Sequence, residues 1–281
     1  MDRWTTRAAE LAGAPAVLWE DQTWPRLRAI RHGSSGVVLL PVGATEQHGP
    51  HLPISTDSAI ATGVAAYASS RTGVPMLPTL RYGVSVGHTT AWPGTLSTMH
   101  DTLADVSREI VSWLVAHEWR RVLVVNAHFG NDATLRVAVD RLRFDYGRDL
   151  QINTLNTWTL SPEVREYFVS DGNDFHANRA ETDLMLFLDP EWVDMRACED
   201  DEDRTGGLVF SYRVPATSTN GVTGRPSLGN ADAGRKRLAR MGDALAEIGQ
   251  RSKVEEPPLA APVVAPRRVR ATPSPLLLLT D

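Results

Sequence analysis

The chain has 281 residues, the size of one large α/β domain or two small ones. Apolar residues make up 42% of it, enough for a sizeable core, which excludes global disorder. A net charge of −5 argues against wholesale nucleic-acid binding, and a lone cysteine, Cys198, excludes an internal disulfide framework.

No apolar run approaches the roughly 18 residues of a membrane-spanning helix. The N-terminal Met1-Asp2-Arg3-Trp4 lacks the apolar core of a signal peptide. The expectation is a soluble cytoplasmic protein with neither a nucleic-acid nor a membrane partner.

The first element in chain order is the apolar run Val37 to Val42, which suits a buried strand. Helical spacing begins at Ser55-Thr56-Asp57 and continues through Ile60, Val64 and Tyr67, with Ser55 or Thr56 as the cap. Residues 102–118 read as an amphipathic helix. Arg121 to Val125 is the clearest buried strand, 126–131 turns out of it, and 132–144 is helical again. Gln151 to Trp158 is a further strand candidate and 181–188 a further helix. This alternation implies crossover units and a largely parallel sheet. The acidic run from Glu199 to Asp203 is most simply a solvated loop. Residues 1–250 read as a single catalytic domain. The stretch 251–281 carries Pro257, Pro258, Pro262, Pro266, Pro273 and Pro275, and reads as an extended or disordered tail.

Three polar clusters stand at the ends of these elements. Glu46 and His48 follow the first strand and would point the same way if it continued. The C-terminal edge of a parallel sheet is also where open α/β folds place ligands. Asp57 opens the next helix, and the glycine and prolines between could bring it back; alternatively it merely caps that helix. His128 leaves the Arg121 to Val125 strand, with Asn126 placed either to orient it or to cap the next helix. In the third cluster, Glu181 could turn inward or simply favour a helix dipole, and His176 is a candidate acid–base group. Glu46, His48, Asp57, His128 and Glu181 are too many for one tetrahedral zinc site. They suit two divalent ions sharing a carboxylate, zinc favoured and manganese or iron possible, and such sites commonly activate water for hydrolysis.

The run GATEQHGPHLPISTD at 43–57 resembles the metal motif of the creatininase family of amidohydrolases, and NAHFGN at 126–131 and HANRAET at 176–182 extend the resemblance. It implies a three-layer α/β/α sandwich with a largely parallel sheet, often assembled as a hexamer. It makes Glu46, His48, Asp57, His128 and Glu181 the ligands, with Asp57 bridging. Glu46 and His128 complete one set, His48 and Glu181 the other, and His176 donates a proton to the leaving nitrogen. The substrate would be a small-molecule amide with a C–N bond other than an ordinary peptide bond. Creatininase has a glutamate where this chain has Gly130. Branches that carry glycine there use the later glutamate, among them a formamide hydrolase and a peptidase-like enzyme that matures a redox peptide. True creatininase activity is therefore not expected. The loop 87–94 places His88 and Trp92 near the pocket mouth, and Trp158 lies where creatininase stacks a tryptophan on substrate.

Overall fold

The computed structural model describes residues 2–88 and 91–259. Strands β1 (Val37–Val42), β2 (Arg121–Asn126) and β3 (Gln151–Asn156) form a parallel sheet in that spatial order. Val37, Arg121 and Gln151 sit side by side at one end, and Val42, Asn126 and Asn156 at the other. The three strands therefore finish level, and whatever follows them collects along one edge. Beyond β1, Met76 and Leu80 add single parallel bridges to Leu39 and Val42. Pro75 and Pro78 lack amide donors, which keeps this border from becoming a regular strand.

Side-chain alternation along the strands builds two apolar layers. Val37, Leu39, Leu123 and Val125 face one cluster, and Val38, Leu40, Val42, Val122 and Val124 face the other. The first is covered by α1 (Arg3–Ala12), α3 (Thr56–Thr72), α7 (Arg179–Leu188) and α8 (Ala231–Ser252). The second is covered by α4 (His100–Ala116) and α5 (Asp132–Tyr146). The expected three-layer α/β/α sandwich is the architecture found. Helices α2 (Trp24–Gly33) and α6 (Pro162–Phe168) complete the set among the described residues.

Helix α3 is unusual in having every residue from Thr56 to Ser69 buried. A helix buried on all sides must be narrow where its neighbours approach, and Ala59, Ala61, Gly63, Ala65, Ala66 and Ala68 make it so. Its first turn lies against the end of β1: a Cβ added at Gly43 would stand 2.5 Å from Ser58 Cα.

Two readings of the sequence change. The acidic run is no solvated loop throughout. Asp201 is buried and accepts hydrogen bonds from Ser218, Thr219 and Arg204, while Asp203 accepts from the Asn173 and Asp174 amides and Asp200 from Ser227. These carboxylates tie down the chain over residues 173–227. Of the proline-rich tail, residues 260–281 lie outside the described residues. Its beginning is held: Arg121 donates to the Ser252 carbonyl at 3.1 Å and the Glu255 carbonyl at 3.2 Å, and pairs with Glu256 at 3.0 Å.

Candidate metal centre

The end of β1, the first turn of α3, the exit of β2 and the first turn of α7 bring Glu46, His48, Asp57, His128 and Glu181 together in the interior. All five are buried. Asp57 stands between two groups of potential ligands. Its Oδ1 lies 3.2 Å from His48 Nε2, which is 4.0 Å from Glu181 Oε1. Its Oδ2 lies 3.1 Å from His128 Nδ1, which is 3.0 Å from Glu46 Oε2. Each group can bring three ligand atoms within 4.8 Å of one another, and Asp57 belongs to both.

Hydrogen bonding fixes which ring nitrogen faces the cluster. His48 Nδ1 donates to the Glu46 carbonyl at 3.1 Å, so Nε2 is the nitrogen that faces Asp57 and Glu181. His128 Nε2 donates to the Val84 carbonyl at 2.9 Å, leaving Nδ1 toward Glu46 and Asp57. Both tautomers follow from the network, and both are those of a metal ligand with an outer partner. Meanwhile both Glu46 oxygens, His48 Nε2, Asp57 Oδ2 and Glu181 Oε2 are buried with no hydrogen-bond partner among the described residues. Leaving so many buried polar atoms unsatisfied is costly, whereas coordination to cations would satisfy all of them. The donor set fits divalent metal ions.

Electrostatics agree. Burial opposes charge on every group here, yet the neighbouring charges override it at four of them. Burial works against protonation of His48, but Asp57 first, then Glu181 and Glu46, push it up to about 10. Glu46 and Asp57 similarly hold His128 well above the usual range despite its burial. Against the same burial, His128 holds Glu46 low, and His48 and His128 hold Asp57 low. Glu181 goes the other way: burial lifts it to about 7, with the like charge of Asp57 adding and His48 opposing. The field that holds protons on two imidazoles is the field that attracts a divalent cation, and binding releases those protons.

His176 stands at the rim, half-buried, with its ring 4.4 Å from that of His48 and 4.5 Å from that of His88. Burial, then the charges of His48 and His88, keep it well below the usual histidine range. Its backbone exchanges hydrogen bonds with Thr223, and Ala177 after it takes a left-handed φ of 48° before Asn178 caps α7. Non-glycine backbone of this kind is strained and persists where packing enforces it.

Gln47 is the residue that sequence reasoning passed over. Its Oε1 accepts from the Gly49 amide at 2.9 Å, which aims its Nε2 at His88 Nδ1, 2.8 Å away. Its backbone carbonyl accepts from His176 Nε2 at 2.8 Å. His88 Nε2 in turn stands 3.0 Å from Glu46 Oε1. Asn126 resolves in favour of orientation: it donates to the His128 carbonyl at 2.8 Å and accepts from the His128 amide at 3.1 Å. Asn131 bridges the Gly43 carbonyl and the Val84 amide. Trp92 is half-buried in the turn at 91–94. Trp158 is 6% exposed and packs between Phe129 and Phe175, in the larger apolar cluster; Phe129 is the exposed ring of the three.

A family model described as creatininase, creatinine amidohydrolase, matches residues 20–248. The chain belongs to the creatininase family. As a member it is a hydrolase of amide C–N bonds in a family that depends on metal. It is 34% identical over 223 residues to the mycofactocin precursor peptide peptidase of Mycobacterium ulcerans (strain Agy99), covering 73% of this chain and 81% of that one. It is 30% identical over 187 residues to the creatinine amidohydrolase of Pseudomonas putida, covering 62% and 72%. Among solved structures, one described as "Creatininase Mn" superposes with a TM-score of 0.74 at 26% identity, covering 85% of this chain and 100% of that one.

Gly130 has a physical explanation here. Residues 129–131 form a single 3-10 turn, so 128 and 130 are not on one extended face. The backbone at Gly130 is not left-handed. What excludes a side chain is space: a Cβ there would lie 2.2 Å from the Val84 carbonyl and 2.6 Å from His128 Nε2. That carbonyl is the partner orienting His128. Gly130→Ala should therefore destabilise the protein by about 1–3 kcal/mol through overpacking. It should also weaken metal affinity by roughly ten- to a hundredfold, the usual effect of disturbing an outer partner. Urea titration and metal-buffer titration read the two effects separately; an unchanged value for both would show that the Val84 loop yields freely.

Proposed function

We propose that this chain hydrolyses an amide bond in a peptide-derived or otherwise modified small substrate, using two divalent ions per chain and His176 as the proton carrier. The observation that carries the two-ion reading is the division of Asp57, one oxygen to each group of ligands. Glu46, Asp57 and His128 would hold one ion, and His48, Asp57 and Glu181 the other. Zinc is favoured by the mixed nitrogen and oxygen donors, with manganese or iron as alternatives. When bound, such ions polarise a carbonyl and acidify water.

The chain's own residues supply the rest. Gln47 holds His176 by Nε2, and no described residue occupies its Nδ1. That nitrogen is free to take a proton from the attacking water and pass it to the departing nitrogen. The transfer is needed because an amide anion is a very poor leaving group. A ring kept neutral by burial and by its histidine neighbours accepts the proton only transiently and returns it readily. His88, Trp92 and Trp158 line the substrate side, Trp158 offering only an edge.

The substrate reading rests on Gly130 and on the Mycobacterium ulcerans relative. Without room for a carboxylate at 130, Glu181 completes the second set, as in the branches that do not act on creatinine. Metal-loaded protein should turn over creatinine far more slowly than a typical enzyme's roughly ten per second. It should release product from modified peptide amides or formamides in a screen read by mass. Creatinine turnover at a typical rate would reverse this assignment. The exposed Trp24, Trp113, Leu96 and Met99 support a homo-oligomer, for which the family resemblance favours a hexamer. No described helix is long and apolar enough to cross a membrane, which is compatible with a cytoplasmic location.

A further inference from the structure

On the far side of α7 from the metal centre lies a cavity of about 510 Å³ lined by Arg179, Lys236, Arg237 and Arg240, with Asp232 at its edge. Two helix N-termini open onto it. Arg179 is the first residue of α7, and Asn230 caps α8, whose second and third turns supply the other cations. Helix N-termini and cations both favour negative charge. Arg179 and Glu181 are two apart on one helix and so project to roughly opposite sides, at about 100° per residue. Glu181 faces the metal centre and Arg179 faces this cavity.

The four cations make no direct ion pair, although Asp183 and Asp232 lie near them. Among the described residues none has a carboxylate oxygen within 4.0 Å. Arg237 lies over the Tyr167 ring, and the Nε atoms of Arg179 and Arg237 are buried without an acceptor. Burial brings Arg237 down to about 10; Asp183 is the largest charge acting on it and opposes the fall, while Arg240 and Arg179 add to it. Asp183 is the one buried carboxylate nearby, and it accepts from the Asn230 amide. Four cations lining one cavity, two of them with a buried Nε that has no acceptor, exceed the charge of the neighbouring carboxylates Asp183 and Asp232.

We propose that this cavity binds the phosphoryl group of a small molecule. Planar guanidinium forks match phosphate oxygens, and several cations together suit a dianion better than a monoanion. The volume exceeds what one phosphate needs and falls within the range of about 300–1,000 Å³ typical of small-molecule pockets. A diphosphate or a phosphate monoester therefore fills it better than inorganic phosphate.

Isothermal titration of metal-loaded protein at fixed ionic strength tests this, with inorganic phosphate, diphosphate and glycerol phosphate as probes. The expected result is saturable binding of diphosphate or the monoester, one per chain. It should persist in Asp57→Ala protein stripped of metal, since phosphate can also bind a metal centre. Arg179→Gln with Arg240→Gln should weaken it at least tenfold, and the exposed Lys236→Gln should weaken it measurably even if the double variant folds poorly. Absence of saturable binding would overturn the proposal. So would binding that vanishes with the metals and ignores the three substitutions, since that places the anion on the metal centre.

Discussion

Purified Asp57→Ala protein is expected to lose both metal ions together, and with them all measurable hydrolysis. Asp57 Oδ1 stands by His48 and Oδ2 by His128, so the same carboxylate belongs to both ligand groups. Its removal leaves each ion with two protein ligands in place of three. It also removes the charge that chiefly raises His48 and, after Glu46, raises His128, which lowers the attraction for any cation. Glu181→Gln, by contrast, touches one group only and should cost the protein one ion of two. Metal analysis by mass spectrometry, beside circular dichroism to confirm folding, decides the matter. A folded Asp57→Ala variant that keeps two ions per chain would falsify the shared-carboxylate assignment.

His176→Ala should give the opposite pattern, with both ions retained and turnover lowered by about a hundredfold to ten-thousandfold, the contribution of a positioned acid–base group. His176 is outside both three-ligand groups that share Asp57. It does come close enough to Glu46 and His48 to form a group of its own. Metal analysis of the variant separates the two roles. Loss of an ion would make His176 a ligand, and an unchanged rate would require another group to carry the proton, with His88 the nearest alternative. Because the Gln47 carbonyl holds His176 Nε2, exchange of Gln47 should lower the rate less than loss of the ring itself.

The parts of this arrangement that were legible in the sequence were those built from neighbours along the chain. β1 and β2 announced themselves as short apolar runs, and Glu46, His48 and Asp57 stand within twelve residues. His128 and Glu181 were visible only because each follows or opens an element whose pattern was clear. Helix α8 left a readable stripe in Leu238, Met241 and Leu245, and went unread among the charged residues of its outer face. Gln47 could not be weighed from composition. Its importance comes from Gly49, His88 and His176, and the last two are 41 and 129 residues away. Gly130 stood out as a difference from creatininase, and its cause is a carbonyl 46 positions earlier, a contact with no local signature. The acidic run misled for a similar reason: Asp201 and Asp203 find their donors in distant loops.

The close fit of α3 bears on how such a protein can change over generations. The helix that presents Asp57 is enclosed on every side, and its first turn touches the end of β1 so tightly that Gly43 admits no side chain. Substitutions there displace the carboxylate and are removed by selection before any new activity can be tried. The loops at 91–94 and 206–213 are exposed or half-buried and bear no such constraint. A change of substrate is therefore expected to come from the rim, and not from the reaction centre. A library confined to those loops should yield altered substrate preference at undiminished metal content, and one aimed at α3 should yield mostly inactive protein.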